Sequence, residues 1–179
     1  MNRAQRLAAL NAELVARILI LDGSMGAYLQ GFGLTSNDFH GERFVEHPMS
    51  LKGDNDLLVL TQPEIIAQVH EGYLAAGADI VSTNTFNATR ISQAEYALED
   101  VVYEINVEAA RIAREAADRF EARDGRPRAV AGAMGPTTKL LSMSPEVGDP
   151  GRRDVDFDAM ARGYKEQALG LIEGGADIL

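Results

Sequence analysis

The chain has 179 residues, 46% of them apolar, with no cysteine or tryptophan and a formal net charge of −10 at pH 7. This length is enough for one domain with a sizeable core, while the negative charge argues against nucleic-acid binding because phosphates repel such a surface. We find neither a membrane-spanning run of roughly 20 apolar residues nor a signal peptide, so we expect a cytoplasmic protein, and the lack of cysteine removes disulfides and thiolate ligands or nucleophiles.

The chain begins with a predicted helix and a predicted buried strand. Leucines at helical spacing predict a helix over residues 4–16. An apolar run at 18–21 stops at an Asp-Gly pair, which predicts a strand buried on both faces. Residues 27–61 contain several glycines and no sustained period, so we expect a long connection that is functional or disordered.

A second helix is predicted to start near Thr61 and to end at Gly77. The Thr61 hydroxyl and the Glu64 carboxylate are spaced to cap its first turn reciprocally, and glycine is common just past a helix end. The later elements follow from apolar spacing in the same way. They are a strand at 78–84, a helix at 100–122, a strand at 128–133, a helix from about 157 that Asp156 caps and Gly174 ends, and the start of a strand at 176–179.

The letters Gly-Ala-Asp-Ile occur at 77–80 and again at 175–178, each time where a helix ends and a strand begins. Strands that alternate with long helices pair in parallel through crossover connections, so their carboxyl ends meet at one edge. This α/β order fits a doubly wound sheet, or the first half of a (β/α)8 barrel from its first strand to the start of its fourth. We expect the second copy of the motif to lack the polar loop that follows the first.

Polar residues follow the first predicted strand as Asp22, Gly23 and Ser24. A carboxylate at the edge of a sheet can hold an ammonium group, and glycine lets backbone N–H groups approach a bound carboxylate closely. An amino acid is therefore a suitable ligand. The alternative is a tight turn in which the aspartate bonds its own backbone.

Two further polar clusters follow the second and third predicted strands. Residues 82–87 carry five uncharged side chains that form hydrogen bonds, which suits either substrate orientation or a loop that joins adjacent strand ends. Residues 132–139 contain a Gly-Pro turn and Lys139, which is either an anion ligand or a solvated surface charge. All three clusters are expected at the same edge of the sheet.

The histidines and a short acidic run provide no metal motif. His40 and His47 are seven residues apart, which matches no zinc spacing, and His70 lies in a predicted helix and is interpreted as structural. The run Asp54-Asn55-Asp56 lacks the other ligands of a calcium loop and is interpreted as a turn.

Five ordered motifs carry a family resemblance. They are L-D-G-S-M-G at 21–26, L-K-G-D-N-D-L-L at 51–58, G-A-D-I at 77–80, T-N-T-F at 83–86 and G-P-T at 135–137. With these motifs in this order, the chain resembles the homocysteine S-methyltransferase family, and within it the homocysteine-binding module of the cobalamin-dependent methionine synthase branch.

The resemblance implies a (β/α)8 barrel that binds homocysteine at its carboxyl edge, with residues 1–16 as an N-terminal helix and residues 17–179 as an incomplete barrel. It also implies one Zn²⁺ held by three cysteine thiolates, and a methyl group from methylcobalamin that methyltetrahydrofolate recharges on other modules. The substrate-binding residues carried over by position are Asp22, Gly23, Ser24, Asn84, Thr85, Phe86, Gly135 and Pro136.

The chain departs from the family pattern at three positions. Ser24 stands where the family commonly has glycine or alanine, and Thr138 stands where asparagine is common. Ser82 stands where this branch usually has glutamate, which puts a polar or charged role of that position in doubt. No cysteine is present to hold zinc, so we expect no catalytic residue in this chain, no activity of the chain alone, and either self-association through exposed strand edges or pairing with the missing half of the barrel. Two alternatives stay open: a methyltransferase that uses betaine or S-methylmethionine, and a non-catalytic binding or assembly half barrel.

Overall fold

The structure is a computed structural model that describes residues 1–179. Its α-helices are α1 (Arg3–Ala16), α2 (Met25–Gln30), α3 (Ser36–His40), α4 (Leu58–Thr61), α5 (Pro63–Ala75), α6 (Arg90–Gln93), α7 (Val102–Asp124) and α8 (Phe157–Gly174). Its strands are β1 (Ile80–Ser82) and β2 (Ala129–Ala131), and single 3-10 turns cover Asn55–Leu57, Ala94–Tyr96 and Glu99–Val101. None of the helices combines the length and the apolar character needed to cross a membrane.

The two strands form a parallel pair with one further chain segment on each side. Val81 of β1 lies opposite Val130 of β2. Single parallel bridges join Leu21 to β1 and Ile178 to β2, so four segments run parallel in the order of the sequence, as predicted. The outer segments are shorter than predicted because each has a neighbour on one side only. Ile18 is 86% exposed, so the prediction that the first strand is buried on both faces is wrong.

The repeated Gly-Ala-Asp-Ile motif forms the same connection twice, between the end of a helix and the start of a sheet segment. Its two opening glycines have φ angles of 106° and 105°, which side chains disfavour, and they lie just past the ends of α5 and α8. The carboxylate of Asp79 accepts a hydrogen bond from the backbone N–H of Ile20 at 2.9 Å, and that of Asp177 accepts one from Val130 at 3.0 Å. Each aspartate therefore joins the start of its own segment to the preceding segment of the sheet.

Arginine side chains neutralise both of these aspartates. Asp177 has a fully buried side chain and pairs with Arg6 at 3.0 Å and with Arg114 at 2.9 Å. Asp79 pairs with Arg17 at 2.7 Å, and this hydrogen bond is the main cause of the lowered pKa of Asp79. Because the pairs lie where the segments begin, they fasten the helix α1 to the amino edge of the sheet, opposite the predicted site.

The apolar residues form two adjoining clusters. The first lies between α4, α5 and α7 and includes Leu57 and Ile105, which are completely buried. The second packs α7 and α8 against the sheet, with Val81 and Leu171 completely buried and a row of α7 alanines between them. Small side chains on α7 let the long helix lie close to the strands.

The connection at residues 27–61 holds more regular structure than predicted. It contains α3, α4 and a 3-10 turn, because its apolar residues reach the core. The predicted cap at Thr61 is wrong: Thr61 is the last residue of α4, and Gln62 is the residue before Pro63 opens α5. By contrast, Asp156 caps α8 as predicted, and its carboxylate accepts a hydrogen bond from the Ala159 N–H at 2.6 Å.

Candidate functional site

Asp22 lies at the carboxyl edge of the sheet, next to the bridge that joins Leu21 to β1. Its carboxylate accepts two hydrogen bonds from Ser82, one from the backbone N–H at 2.8 Å and one from the hydroxyl at 2.9 Å. Burial raises the pKa of Asp22, and the Ser82 hydrogen bonds oppose this rise, but no cationic side chain contributes. Ser82 therefore has a polar role here, and Asp22 is a held carboxylate without a counter-charge.

Gly23 and Ser24 form the turn from the first segment into α2. A Cβ on Gly23 would lie 2.9 Å from the Tyr73 hydroxyl, so the turn depends on glycine to approach α5. The Ser24 hydroxyl accepts a hydrogen bond from the Ala27 N–H at 3.3 Å, and the Ser24 carbonyl accepts one from the Tyr73 hydroxyl at 3.1 Å. Ser24 therefore caps α2, and the alternative in which Asp22 bonds its own backbone is wrong, because Asp22 bonds a neighbouring segment.

Thr83 and Thr85 join the ends of β1 and β2. The Thr85 hydroxyl donates to the Ala133 carbonyl at 2.8 Å and lies 2.6 Å from the Thr83 hydroxyl, which accepts from the Ala133 N–H at 2.9 Å. Gln167 of α8 donates to the Thr85 carbonyl at 2.9 Å. Both threonines are buried, and their hydrogen bonds join the ends of the two strands. The predicted site residue Thr85 therefore belongs to the contacts that hold the loop.

Asn84 and Phe86 lie on the other side of the same loop. Asn84 is buried, and its Nδ2 donates to the backbone carbonyl of Asn55 at 2.6 Å. Because a carbonyl oxygen only accepts, the amide orientation is determined and Oδ1 is left as a free acceptor. The Phe86 side chain is 57% exposed.

Gly135 packs directly against the loop that carries Phe86. A Cβ on Gly135 would overlap the Phe86 carbonyl oxygen and would lie 2.9 Å from the Phe86 ring. The Gly135 carbonyl accepts a hydrogen bond from the Tyr164 hydroxyl at 2.9 Å, and Pro136 is exposed. The close approach of the third loop to the second therefore depends on glycine at 135, and neither Gly135 nor Pro136 presents a polar side chain.

The loops of the carboxyl edge enclose a cavity of about 430 Å³. Three predicted site residues, Ser24, Asn84 and Phe86, line it, whereas the other five do not. It has three acidic side chains and no basic one in its wall. The remaining lining residues are Met25, Gly26, Gly53, Asp54, Asn55, Asp56, Asn87, Ser92, Glu95, Tyr96 and Thr138. A groove of about 580 Å³ elsewhere, lined by Arg90 and Glu166 among others, contains none of the predicted site residues.

The carboxylates of Asp54 and Asp56 are site residues that the sequence interpretation missed. They are 3% and 4% exposed, although the run that contains them reads as a polar turn. Burial raises the pKa of Asp54, and burial together with the Asp54 charge raises the pKa of Asp56 to about 7. The other ionisable groups in the cavity wall are Glu95 and Tyr96, both acids. The sequence does contain a signal for this burial. The run lies between Leu51 and the pair Leu57 and Leu58, and all three leucines are completely buried.

The histidines and Lys139 lie apart from this cavity. His70 is completely buried, and burial lowers its pKa to about 4, in keeping with a structural role. His40 and His47 each lie within hydrogen-bonding distance of the Met49 backbone carbonyl. Lys139 lies 3.6 Å from the Asp154 carboxylate and has a 42% exposed side chain, so it is a surface charge.

The residues present do not fit the zinc site that the family resemblance implies. That site requires three cysteine thiolates, and the chain has no cysteine. No three His, Asp or Glu side chains lie close enough together to hold a metal ion instead. We therefore derive no reaction step through zinc from this chain.

Comparison with known proteins decides the family. The family model of homocysteine S-methyltransferase matches residues 19–179. The chain belongs to this family. The resemblance inferred from the five motifs is thereby confirmed.

Solved structures show the same fold. The chain is similar to the homocysteine methyltransferase MmuM from Escherichia coli in its metallated form, with a TM-score of 0.68 and 22% identity over 94% of this chain and 55% of that one. The oxidized form gives a TM-score of 0.67 and 23% identity over 96% of this chain and 54% of that one. This homocysteine S-methyltransferase chain thus spans about half the length of the solved relatives, and its mixed α/β fold matches part of theirs.

Proposed function

We propose that this chain binds homocysteine at the carboxyl edge of its sheet, as the homocysteine-binding part of a methionine synthase. The observation that carries the proposal is the Asp22 carboxylate, which Ser82 holds at that edge without any cationic partner. The ammonium group of an amino acid supplies the missing charge through charge-assisted hydrogen bonds. Family membership supports homocysteine as that amino acid.

Neighbouring groups suit the rest of the amino-acid end. The backbone N–H groups of Gly23 and Ser24 donate no hydrogen bond within the chain, so they are available to a substrate carboxylate. Asn84 Oδ1 forms no hydrogen bond within the chain, because Nδ2 makes the contact with the Asn55 carbonyl. We assign Asp22 and Asn84 to substrate contacts, and Thr85 and Gly135 to holding the loops that carry them.

Activation of the substrate sulfur requires groups beyond these residues. A thiol with a pKa of about 8.5 is only a few per cent thiolate at pH 7. Zinc bound to the sulfur would deprotonate it, but the chain lacks the thiolates to hold zinc. We therefore propose that this chain orients homocysteine and that, alone, it transfers no methyl group. Zinc, cobalamin and methyltetrahydrofolate are expected on other modules or partner proteins.

Methylcobalamin is the methyl donor that we favour. The motif at 51–58 suggests this branch, and in the structure it is a buried segment that forms one wall of the cavity. A donor such as betaine or S-methylmethionine is the second candidate, and one observation favours it. The cavity joins the aromatic rings of Phe86 and Tyr96 with three carboxylates and no basic group, a combination that attracts a methylated cation.

Isothermal titration calorimetry on the purified chain tests the proposal. We expect saturable one-to-one binding of L-homocysteine, and no methionine when methylcobalamin is added. Failure to bind homocysteine would refute the proposed function. Saturable binding of S-methylmethionine or betaine to the chain already saturated with homocysteine would support the second candidate, because direct methyl transfer requires both molecules bound together.

Zinc provides an independent arm of the same experiment. We expect no stoichiometric uptake of Zn²⁺ by the chain, with or without homocysteine, because no thiolate set is present. Tight stoichiometric zinc binding would overturn the statement that these residues do not form a zinc site.

The wider architecture is also a proposal. We propose that residues 1–16 form a helix outside an incomplete (β/α)8 barrel of residues 17–179, and that the protein works in the cytoplasm. The solved relatives, about twice as long, support the barrel. Exposed Ile18 and Leu179 on the outer segments support pairing with further strands or with a second copy.

A further inference from the structure

A segment distant in sequence holds the loop that follows β1. The Asp56 carboxylate is 4% exposed and accepts a hydrogen bond from the Asn87 backbone N–H at 2.8 Å. The carbonyl of the adjacent Asn55 accepts a hydrogen bond from Asn84 Nδ2 at 2.6 Å. These two contacts fasten both ends of the loop at 84–87.

The segment that makes these contacts is itself firmly anchored. Leu51 and Leu57, which flank it, are completely buried in the first apolar cluster. Gln93 Nε2, at the end of α6, donates to Asp54 Oδ1 at 3.0 Å. The loop is therefore held against a part of the molecule that is packed from two sides.

We propose that Asp56 is a positioning residue for homocysteine binding, which holds the loop at 84–87 so that Asn84 Oδ1 faces the substrate. The inference rests on the proposed function, because it concerns the same site. Asp56 acts through the Asn87 amide, and its charge makes no contact with the substrate. An oxygen acceptor at this position is what the loop requires.

Two substitutions separate the acceptor from the charge. Asp56→Asn keeps an oxygen that accepts from the Asn87 N–H, whereas Asp56→Ala leaves that N–H buried without a partner. We expect the dissociation constant for homocysteine to rise about tenfold or more in Asp56→Ala and to change by less than about threefold in Asp56→Asn. Hydrogen exchange at the Asn87 amide should become faster in Asp56→Ala only.

Glu121→Ala is the matched control. Glu121 of α7 has a 10% exposed side chain, and its carboxylate also accepts a hydrogen bond from a backbone N–H, that of Arg128 at 2.8 Å, but it does not line the cavity. We expect Glu121→Ala to lower the melting temperature while leaving homocysteine binding within about threefold of the wild type. If Asp56→Ala does not fold, Asp56→Ser, whose hydroxyl is too short to reach the Asn87 amide, takes its place.

The outcomes distinguish the two proposals. A wild-type chain that does not bind homocysteine overturns the proposed function and this inference with it. A wild-type chain that binds, with Asp56→Ala unchanged, overturns only the positioning role. Equal losses in Asp56→Ala and Glu121→Ala would show general destabilisation, and a loss in Asp56→Asn would show that the charge itself contacts the substrate. Either result refutes the inference.

Discussion

The charge of Asp22 can be removed with little effect on the fold, which makes Asp22→Asn the sharpest test of the site. The backbone N–H of Ser82 donates to one oxygen of Asp22, and the Ser82 hydroxyl donates to the other. Asparagine can keep both contacts, because its oxygen accepts from the N–H while its NH2 group donates to the hydroxyl. The substitution therefore changes the charge and leaves the geometry in place.

The expected loss follows from the contact that the ammonium group would make. A hydrogen bond between charged groups contributes about 1.5–3 kcal/mol, and a value in this range suits a carboxylate that is only partly buried. Since each 1.4 kcal/mol corresponds to about a tenfold change, the dissociation constant for homocysteine should rise about 10- to 100-fold in Asp22→Asn. Ser82→Ala removes one of two supporting hydrogen bonds, so we expect a smaller rise, of about threefold to tenfold.

Calorimetry with homocysteine measures these losses, and thermal unfolding checks that the variants are folded. Glu115→Gln is the charge-matched control, because Glu115 is an exposed residue of α7 that pairs only with Arg111. It should bind homocysteine as the wild type does. An Asp22→Asn variant that is folded and binds with unchanged affinity would refute the assignment of Asp22 to the ammonium group.

Four further predictions follow from the geometry. Burial raises the pKa of Asp56 to about 7, so the folded chain binds this proton more tightly than the unfolded chain, and its contribution to stability is present at low pH and lost as the pH rises through 7. We expect the melting temperature to fall between about pH 5 and about pH 7 in the wild type, to level off above that range, and to fall less in Asp56→Asn; equal slopes would contradict this. Asp177→Asn leaves the buried Arg6 without its one carboxylate partner and removes one of the three carboxylates that pair with Arg114, so it should lower the free energy of unfolding in urea by about 3–5 kcal/mol. Gly135→Ala forces a Cβ against the Phe86 carbonyl and should cost about 1–3 kcal/mol and weaken homocysteine binding, whereas an unchanged midpoint would show that the loop yields freely. Ile18→Lys places a charge on an edge residue that is 86% exposed and should reduce self-association in light scattering, and a wild-type monomer would remove the basis for this prediction.

The parallel order of the segments was predictable because one local joint recurs. The Gly-Ala-Asp-Ile motif combines a glycine that ends a helix with an aspartate that bonds the neighbouring segment, and both copies do this with the same contacts. Local chemistry of this kind is readable from sequence. The extent of pairing was not readable, since it depends on whether a neighbour covers Ile18 on its outer side.

The polar cluster at 83–86 lies at the predicted edge of the sheet, but the sequence analysis did not separate the roles of its residues. All of its polar residues were assigned to the substrate or, alternatively, to the joining of strands. In the structure the four residues alternate: Thr83 and Thr85 bond the Ala133 backbone, while Asn84 and Phe86 line the cavity. Successive side chains of an extended chain point to opposite faces. The alternation along residues 83–86 was therefore enough to separate the two threonines from Asn84 and Phe86.

The acidic run was missed for a different reason. Asp54 and Asp56 become site residues through contacts with Gln93 and Asn87, which lie 39 and 31 residues further along the chain. The residues next to the run in sequence do not reveal such distant partners, and aspartate and asparagine after a glycine are typical of turns. Only the buried leucines on either side indicate that the turn is drawn into the core.

Three aspartates lie at the ends of these parallel segments, and they differ in whether a positively charged side chain pairs with them. Asp79 and Asp177 lie where segments begin, and arginines neutralise both of them. Asp22 lies where a segment ends, is partly buried as well, and receives only the two neutral hydrogen bonds of Ser82. An uncompensated carboxylate that burial disfavours lowers the stability of the free chain, and a bound cation offsets that loss. The missing counter-charge is therefore the reason to propose that Asp22, of these three aspartates, binds a positively charged group of the ligand.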